Sequence, residues 1–165
     1  MHLREALRSA PQIGDVPGLY FLAAGGNWDL LRVPAEPGFL ALALLRTTGE
    51  AIGPVLYDRP GARLYFAVPS GTAGTWRDLP VRLLSQGSWL VAPNPYRADE
   101  YFGGWCELPD DDTLTDPEKL RHALHQYTVA TEERPLWRPS NAPALTPTSA
   151  VSPPASRRPS ALPRS

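Results

Sequence analysis

The sequence predicts an α+β domain built on a mainly antiparallel or mixed sheet, with one inserted helix and one C-terminal helix. Two observations lead to this class. Short apolar segments recur between turn residues, as strands do, and only two longer segments place apolar residues at helical spacing. One helix among five or six strands, with another at the end, favours a sheet that is covered on one side.

The predicted strands lie between strong turn signals. In chain order they are residues 28–33, 53–57, 63–68, 81–84 and 88–92, with 104–108 as a last edge strand, and residues 20–24 form a short apolar run before them. Gly25-Gly26-Asn27 and Asp58-Arg59-Pro60-Gly61 are typical turn sequences, because glycine accepts positive φ and Asp, Asn and Pro favour turn conformations. The pattern therefore predicts a series of short strands.

Helical spacing marks three segments. A short helix is possible at 3–7, and residues 34–47 form a wide apolar stripe that predicts a largely buried helix. Asp116 followed by Pro117 is a good N-cap and N1 pair for a helix that continues to about Tyr127.

Composition divides the chain into a domain at about 15–130 and a tail at 134–165. Eight of the 20 prolines lie in the tail, with Ser, Thr and Ala, so we expect it to be disordered. The tail has five arginines and no acidic residue, which leaves a formal charge of −6 on residues 1–133 when the whole chain carries −1. An acidic body disfavours a dedicated duplex-binding protein.

Several classes of protein are disfavoured at once. The single cysteine, Cys106, excludes an internal disulfide and a multi-cysteine zinc site, and we expect it to be buried or half-buried. The longest apolar run, Phe39 to Leu45, is too short to span a bilayer. The N-terminus lacks the apolar core of a signal peptide. We expect a cytoplasmic protein without a membrane partner.

Three short apolar segments in the middle of the chain resemble segments of a known protein family. They are Gly61-Ala62-Arg63-Leu64-Tyr65-Phe66-Ala67-Val68-Pro69-Ser70-Gly71, then Gly87-Ser88-Trp89-Leu90-Val91-Ala92-Pro93, and finally Gly103-Gly104-Trp105. In order and spacing they are similar to the bifunctional DNA primase/polymerase N-terminal domain of the archaeo-eukaryotic primase superfamily. The likeness extends from about Trp28 to Leu108.

The resemblance implies four positions for catalytic groups, and at each of them this chain has a different type of residue from the family. The family's Asp-x-Asp pair, which binds divalent ions, falls at Arg32 and Pro34. Its nucleotide-contacting His falls at Arg63, and its third carboxylate falls at about Arg82. Two-metal phosphoryl transfer needs anionic oxygen ligands, so we expect no catalytic residue, metal or other cofactor. Asp29 would face the opposite side of its strand from Arg32.

Two interpretations of Arg32, Arg63 and Arg82 stay open. They could converge on one face and hold a phosphate by charge-assisted hydrogen bonds. They could also be scattered surface arginines that are solvated or paired with acids.

Other candidate sites have weaker patterns. His122 and His125 stand at i and i+3, but no third metal ligand follows. Ser70 to Gly74 is a small-residue loop without a Walker lysine, which favours a plain connector. Core packing accounts for most of the five tryptophans, except Trp137, whose proline-rich segment could either pack back on the domain or dock a protein partner.

The sequence favours a catalytically degenerate primase/polymerase-like protein that binds nucleotide or single-stranded nucleic acid, in replication or mobile-element biology. The alternative is a non-enzymatic protein-interaction or regulatory module without a nucleic-acid role. Whether any enzymatic activity remains is left open, with its loss favoured by the missing carboxylates.

Overall fold

The computed structural model describes residues 3–14, 18–95 and 102–132, with side chains to residue 127. In chain order the elements are α1 (Leu3–Ser9), β1 (Leu19–Ala23), β2 (Trp28–Pro34), α2 (Ala35–Thr47), β3 (Val55–Asp58), β4 (Arg63–Pro69), a 3₁₀ helix (Ala73–Trp76), β5 (Arg82–Leu84), β6 (Trp89–Pro93), β7 (Gly103–Glu107) and α3 (Pro117–Glu132). The α+β class is confirmed. The predicted strands and the first two helices lie within one or two residues of their expected bounds, the apolar run at 20–24 forms β1, and α3 continues to Glu132, past its expected end at about Tyr127. The tail predicted for 134–165, including Trp137, lies outside the described residues.

The strands form two antiparallel sheets. The larger has five strands in the order β5-β2-β4-β3-β7, so β2 and β4 lie inside it. The smaller pairs β1 with β6 and is called the β1–β6 ribbon below; in it Leu22 stands opposite Leu90.

One face of the five-stranded sheet packs against α2 and α3. The buried side chains that meet there include Leu31, Val33, Leu42, Leu64, Phe66 and Leu120. Gly38 on α2 makes this approach close, because a Cβ at that position would lie only 3.1 Å from the Leu64 Cβ. The helix can therefore lie almost directly on β4.

The other face is covered by the β1–β6 ribbon and α1, so the expectation of a sheet covered on one side only is wrong. Buried residues of this second layer include Leu3, Leu7, Leu22, Leu30, Leu56 and Leu90. Leu30 and Leu31 are neighbours on β2 and point to opposite faces, so both faces carry apolar area that must be removed from water. The Trp105 indole N–H donates to the Pro93 carbonyl oxygen at 3.0 Å and ties β7 to the ribbon.

The N-cap expected for α3 is confirmed. Asp116 Oδ1 accepts hydrogen bonds from the backbone N–H groups of Glu118 at 2.9 Å and Lys119 at 3.0 Å. These are donors that a helix start leaves without intrahelical partners.

None of the helices in the described part of the chain has the length and apolar character that crossing a membrane demands.

Candidate anion-binding site

Strand register brings Arg32, Arg63 and Arg82 to one face of the five-stranded sheet. Arg32 on β2 stands directly opposite Arg82 on β5 and, on its other side, directly opposite Tyr65 on β4. Directly opposed residues of antiparallel strands point to the same face. Arg63 lies two residues from Tyr65 on β4 and therefore points the same way. Asp58 on β3 stands opposite Arg63.

These five residues define what we call the arginine corner: Arg32, Arg63, Arg82, Tyr65 and Asp58. The corner lies on the face that carries the β1–β6 ribbon, toward the end of β2, because the last residue of β2 pairs with Arg63. Arg32 and Arg63 are half-buried, whereas Arg82 is exposed. A ligand in solution can thus reach the guanidinium groups.

The pKa of Tyr65 responds to three of the charged side chains of the corner. Burial is the main cause that raises the pKa of the phenol above its ordinary value, and the nearby Asp58 carboxylate raises it further by its charge and by a hydrogen bond. The guanidinium groups of Arg32 and Arg63 act in the opposite direction and lower this pKa. Three charged side chains therefore lie within electrostatic reach of one hydroxyl.

The arginines of the corner have no ion-pair partner among the described residues. The ion pairs found there join Arg4 to Asp110, Arg46 to Glu107, Lys119 to Glu50, and Asp78 to both Arg121 and His125. Three arginines and one aspartate leave the corner with a positive balance. Like charges directly opposite on neighbouring strands are unfavourable, so Arg32 and Arg82 would gain from an anion between them.

Asp29 lies on the opposite face of β2 and takes no part in the corner, as its position in the strand predicts. Its side chain is buried, with 3% exposure. The carboxylate accepts hydrogen bonds from Ser70 Oγ at 3.2 Å and from Ser85 Oγ at 3.1 Å. Asp29 therefore anchors the ends of β4 and β5 and lies on the other face of the sheet from Arg32.

The small-residue loop after β4 is a connector. The Ser70 hydroxyl is engaged by Asp29, and the Thr72 hydroxyl oxygen accepts a hydrogen bond from the Trp76 indole N–H at 3.1 Å. A buried carboxylate beside the loop would repel a phosphate. The geometry therefore agrees with the plainer interpretation of this segment.

The two histidines of α3 contact other polar side chains at the helix surface. His122 and Gln126 lie with their Nε2 atoms 2.9 Å apart, and His125 Nε2 lies 3.1 Å from Asp78 Oδ2, which also binds Arg121. Across the described residues no three His, Cys, Asp or Glu side chains are arranged to hold a metal ion.

Cys106 is half-buried, as expected, and burial raises the pKa of its thiol. A raised thiol pKa lowers the fraction of thiolate, which is the nucleophilic form. The residue therefore has the environment of a structural cysteine.

Tryptophan burial differs from residue to residue. Trp28 and Trp76 are buried and Trp105 is half-buried, whereas Trp89 is 62% exposed. Core packing, the explanation expected for most tryptophans, does not account for Trp89.

In comparisons with known proteins, no family model matches the chain, and no curated protein or solved structure matches it either. The primase/polymerase resemblance therefore stays a hypothesis.

Proposed function

We propose that this chain binds the phosphate groups of nucleotides or single-stranded nucleic acid at the arginine corner, without catalysing metal-dependent phosphoryl transfer. The observation that supports this most is the clustering of Arg32, Arg63 and Arg82 on one sheet face without ion-pair partners among the described residues. Guanidinium groups present several N–H donors in a planar fork that matches phosphate oxygens.

The primase/polymerase hypothesis fits the same geometry. The positions that the resemblance assigns to the two metal-binding carboxylates, the histidine and the third carboxylate are 32, 34, 63 and 82. Arg32 pairs with Arg82, and Pro34 pairs with Arg63, so these four positions are neighbours on one face. An ancestral catalytic site at this corner would have exchanged metal-binding groups for cations, and a role in replication or mobile-element biology follows from that ancestry.

Loss of catalysis follows from the chemistry of the residues present. Divalent ions in phosphoryl transfer are held by carboxylate oxygens, and Asp58 is the single carboxylate that we place in the corner. Primer extension with Mn²⁺ should give no product above background. Robust synthesis would overturn this part of the proposal.

Binding is tested with two labelled probes, an oligo(dT) strand and a nucleoside triphosphate. Arg63→Glu should weaken binding of the preferred probe by about tenfold or more at low salt and make the salt dependence shallower, because a phosphate contact is lost. The matched control is Arg77→Glu, which makes the same charge change at an exposed arginine after the 3₁₀ helix. Equal effects of the two variants would contradict a specific site.

The second candidate function is a protein-interaction or regulatory module with no nucleic-acid role. The exposed aromatic residue Trp89 favours it, since large exposed aromatics are common in protein interfaces. Absence of binding of either probe at low salt would favour this candidate over phosphate binding.

A further inference from the structure

The outer side of the β1–β6 ribbon carries a group of exposed apolar residues. Phe21, Trp89 and Val91 are 39%, 62% and 47% exposed, respectively. Phe21 stands opposite Val91, and its ring meets Trp89 edge to face, with centroids 6.4 Å apart and planes at 84°. The two rings therefore contact each other in a surface that solvent can reach.

A groove runs beside these rings. A cavity of about 370 Å³ opens between the ribbon and the end of α1, lined by Phe21, Trp28 and Trp89 together with Pro11. A second cavity of about 260 Å³ shares Asn27 and Trp28 with the first. The two cavities therefore adjoin each other at Asn27 and Trp28, and we call them together the aromatic groove.

The far end of the aromatic groove is acidic. Asp111 and Asp112 are exposed and line the second cavity, and no Lys or Arg lines either cavity among the described residues. Asp110, next in sequence, is ion-paired with Arg4. Carboxylates at this end repel phosphate and attract cations. The groove thus disfavours nucleic acid, although exposed tryptophan alone would suit base stacking.

Hydrogen-bond donors are also available in the aromatic groove. The indole N–H groups of Trp28 and Trp89 donate to no acceptor within the described part of the chain, in contrast to those of Trp76 and Trp105. An indole N–H beside an apolar ring surface is complementary to a ligand that combines apolar side chains with carbonyl oxygens that accept no internal hydrogen bond.

We propose that the aromatic groove binds a proline-rich peptide that carries arginine or lysine at one end. A polyproline II helix has no internal hydrogen bonds, so its carbonyl oxygens remain free to accept from indole N–H groups. Its proline rings pack between aromatic side chains at little entropic cost, since the conformation is already formed. The basic end then lies against Asp111 and Asp112. This surface is separate from the arginine corner.

The test uses the full chain and a fluorescein-labelled peptide of repeated Pro-Pro-Ala units that ends in Arg-Arg, with binding followed by anisotropy. Trp89→Ala should weaken binding about tenfold or more, because aromatic anchors dominate such interfaces. Asp112→Lys should weaken it about threefold, while leaving a peptide that ends in Gln-Gln unaffected. Both residues are exposed, so each variant is expected to keep the fold, which circular dichroism checks.

Phe39→Ala is the matched control, since Phe39 is also an exposed aromatic residue, 41% accessible, but lies on α2. Phe39→Ala should bind the peptide as the unchanged chain does. Arg63→Glu should also bind it unchanged, because Arg63 belongs to the arginine corner and not to the aromatic groove. Failure of the peptide to bind, or unchanged binding by Trp89→Ala, would overturn the proposal. So would competition by oligo(dT) that depends on Trp89, which would make the groove a nucleic-acid surface.

Discussion

Arg32 and Arg82 stand directly opposite each other on neighbouring antiparallel strands, two cations on the same face of the sheet. Among the described residues neither is ion-paired with a carboxylate. Arrangements of this kind cost stability in the free protein and are relieved by an anion. The pair therefore links binding to folding stability in a measurable way.

Arg82→Gln should raise the free energy of unfolding in low salt by roughly 0.2–1 kcal/mol, because the opposed like charges are removed. Added pyrophosphate should raise the free energy of unfolding of this variant less than that of the unchanged chain. A bound anion stabilises the folded protein, and the variant has lost one of the arginines that would bind it. Urea unfolding with and without pyrophosphate measures both effects. Arg77→Gln is the control, and a loss of stability on Arg82→Gln without added anion would contradict the interpretation.

Tyr65 should report on the other charges of the corner. Its folded pKa is raised, so its contribution to stability is complete below the ordinary pKa of tyrosine, about 10, and is lost as the pH rises through the folded pKa. Arg63→Gln should raise the pKa of Tyr65 further, and Asp58→Asn should lower it. Tyrosinate absorbance, corrected with Tyr65→Phe, follows the titration. Shifts in the reverse directions would show that these groups do not face the phenol.

Asp29→Ala should lower the free energy of unfolding by about 3 kcal/mol, because two part-buried hydrogen bonds to a charged acceptor are lost. Ser85→Ala removes one of the two hydrogen bonds and should cost roughly half as much. Chemical denaturation of both variants and of Ser70→Ala gives the comparison. If Asp29→Ala were neutral to stability but changed Mn²⁺ binding, the carboxylate would be a metal ligand instead of an anchor.

The glycine pair at the start of β7 offers a matched comparison. Gly103 has φ +95°, and a Cβ there would lie 2.1 Å from the Tyr57 carbonyl oxygen, whereas a Cβ on Gly104 meets nothing within 4 Å. Gly103→Ala should therefore cost about 3 kcal/mol of stability through strain and steric overlap. Gly104→Ala should stay within about 1 kcal/mol of the unchanged chain. Thermal unfolding distinguishes them, and equal transition temperatures would refute the argument.

Local signals in the sequence were sufficient for the elements of the fold. Turn residues separate the strands, and Asp116 with Pro117 marks the start of α3, because both act through neighbours in the chain. The second layer on the sheet was missed for the opposite reason. The pairing of β1 with β6 joins distant segments, and no local pattern encodes it.

The candidate site was predictable only in part. Arg32, Arg63 and Arg82 could be named from the resemblance, but their convergence depends on the register of three strands. Tyr65 and Asp58 were missed because their relevance lies in cross-strand neighbours. Trp89 was not recognised as exposed, since it begins a strand that is apolar at successive positions, and such a run does not indicate which face is buried.

The β1–β6 ribbon has a consequence for the order of folding. Leu22 and Leu90 stand opposite each other although β2, α2, β3, β4 and β5 all lie between them in the chain. Closing so long a loop carries an entropic cost that the sheet must first offset, so we infer that the ribbon docks late. The hydrogen bond from the Trp105 indole N–H to Pro93 of the ribbon would then form only as the native state is completed.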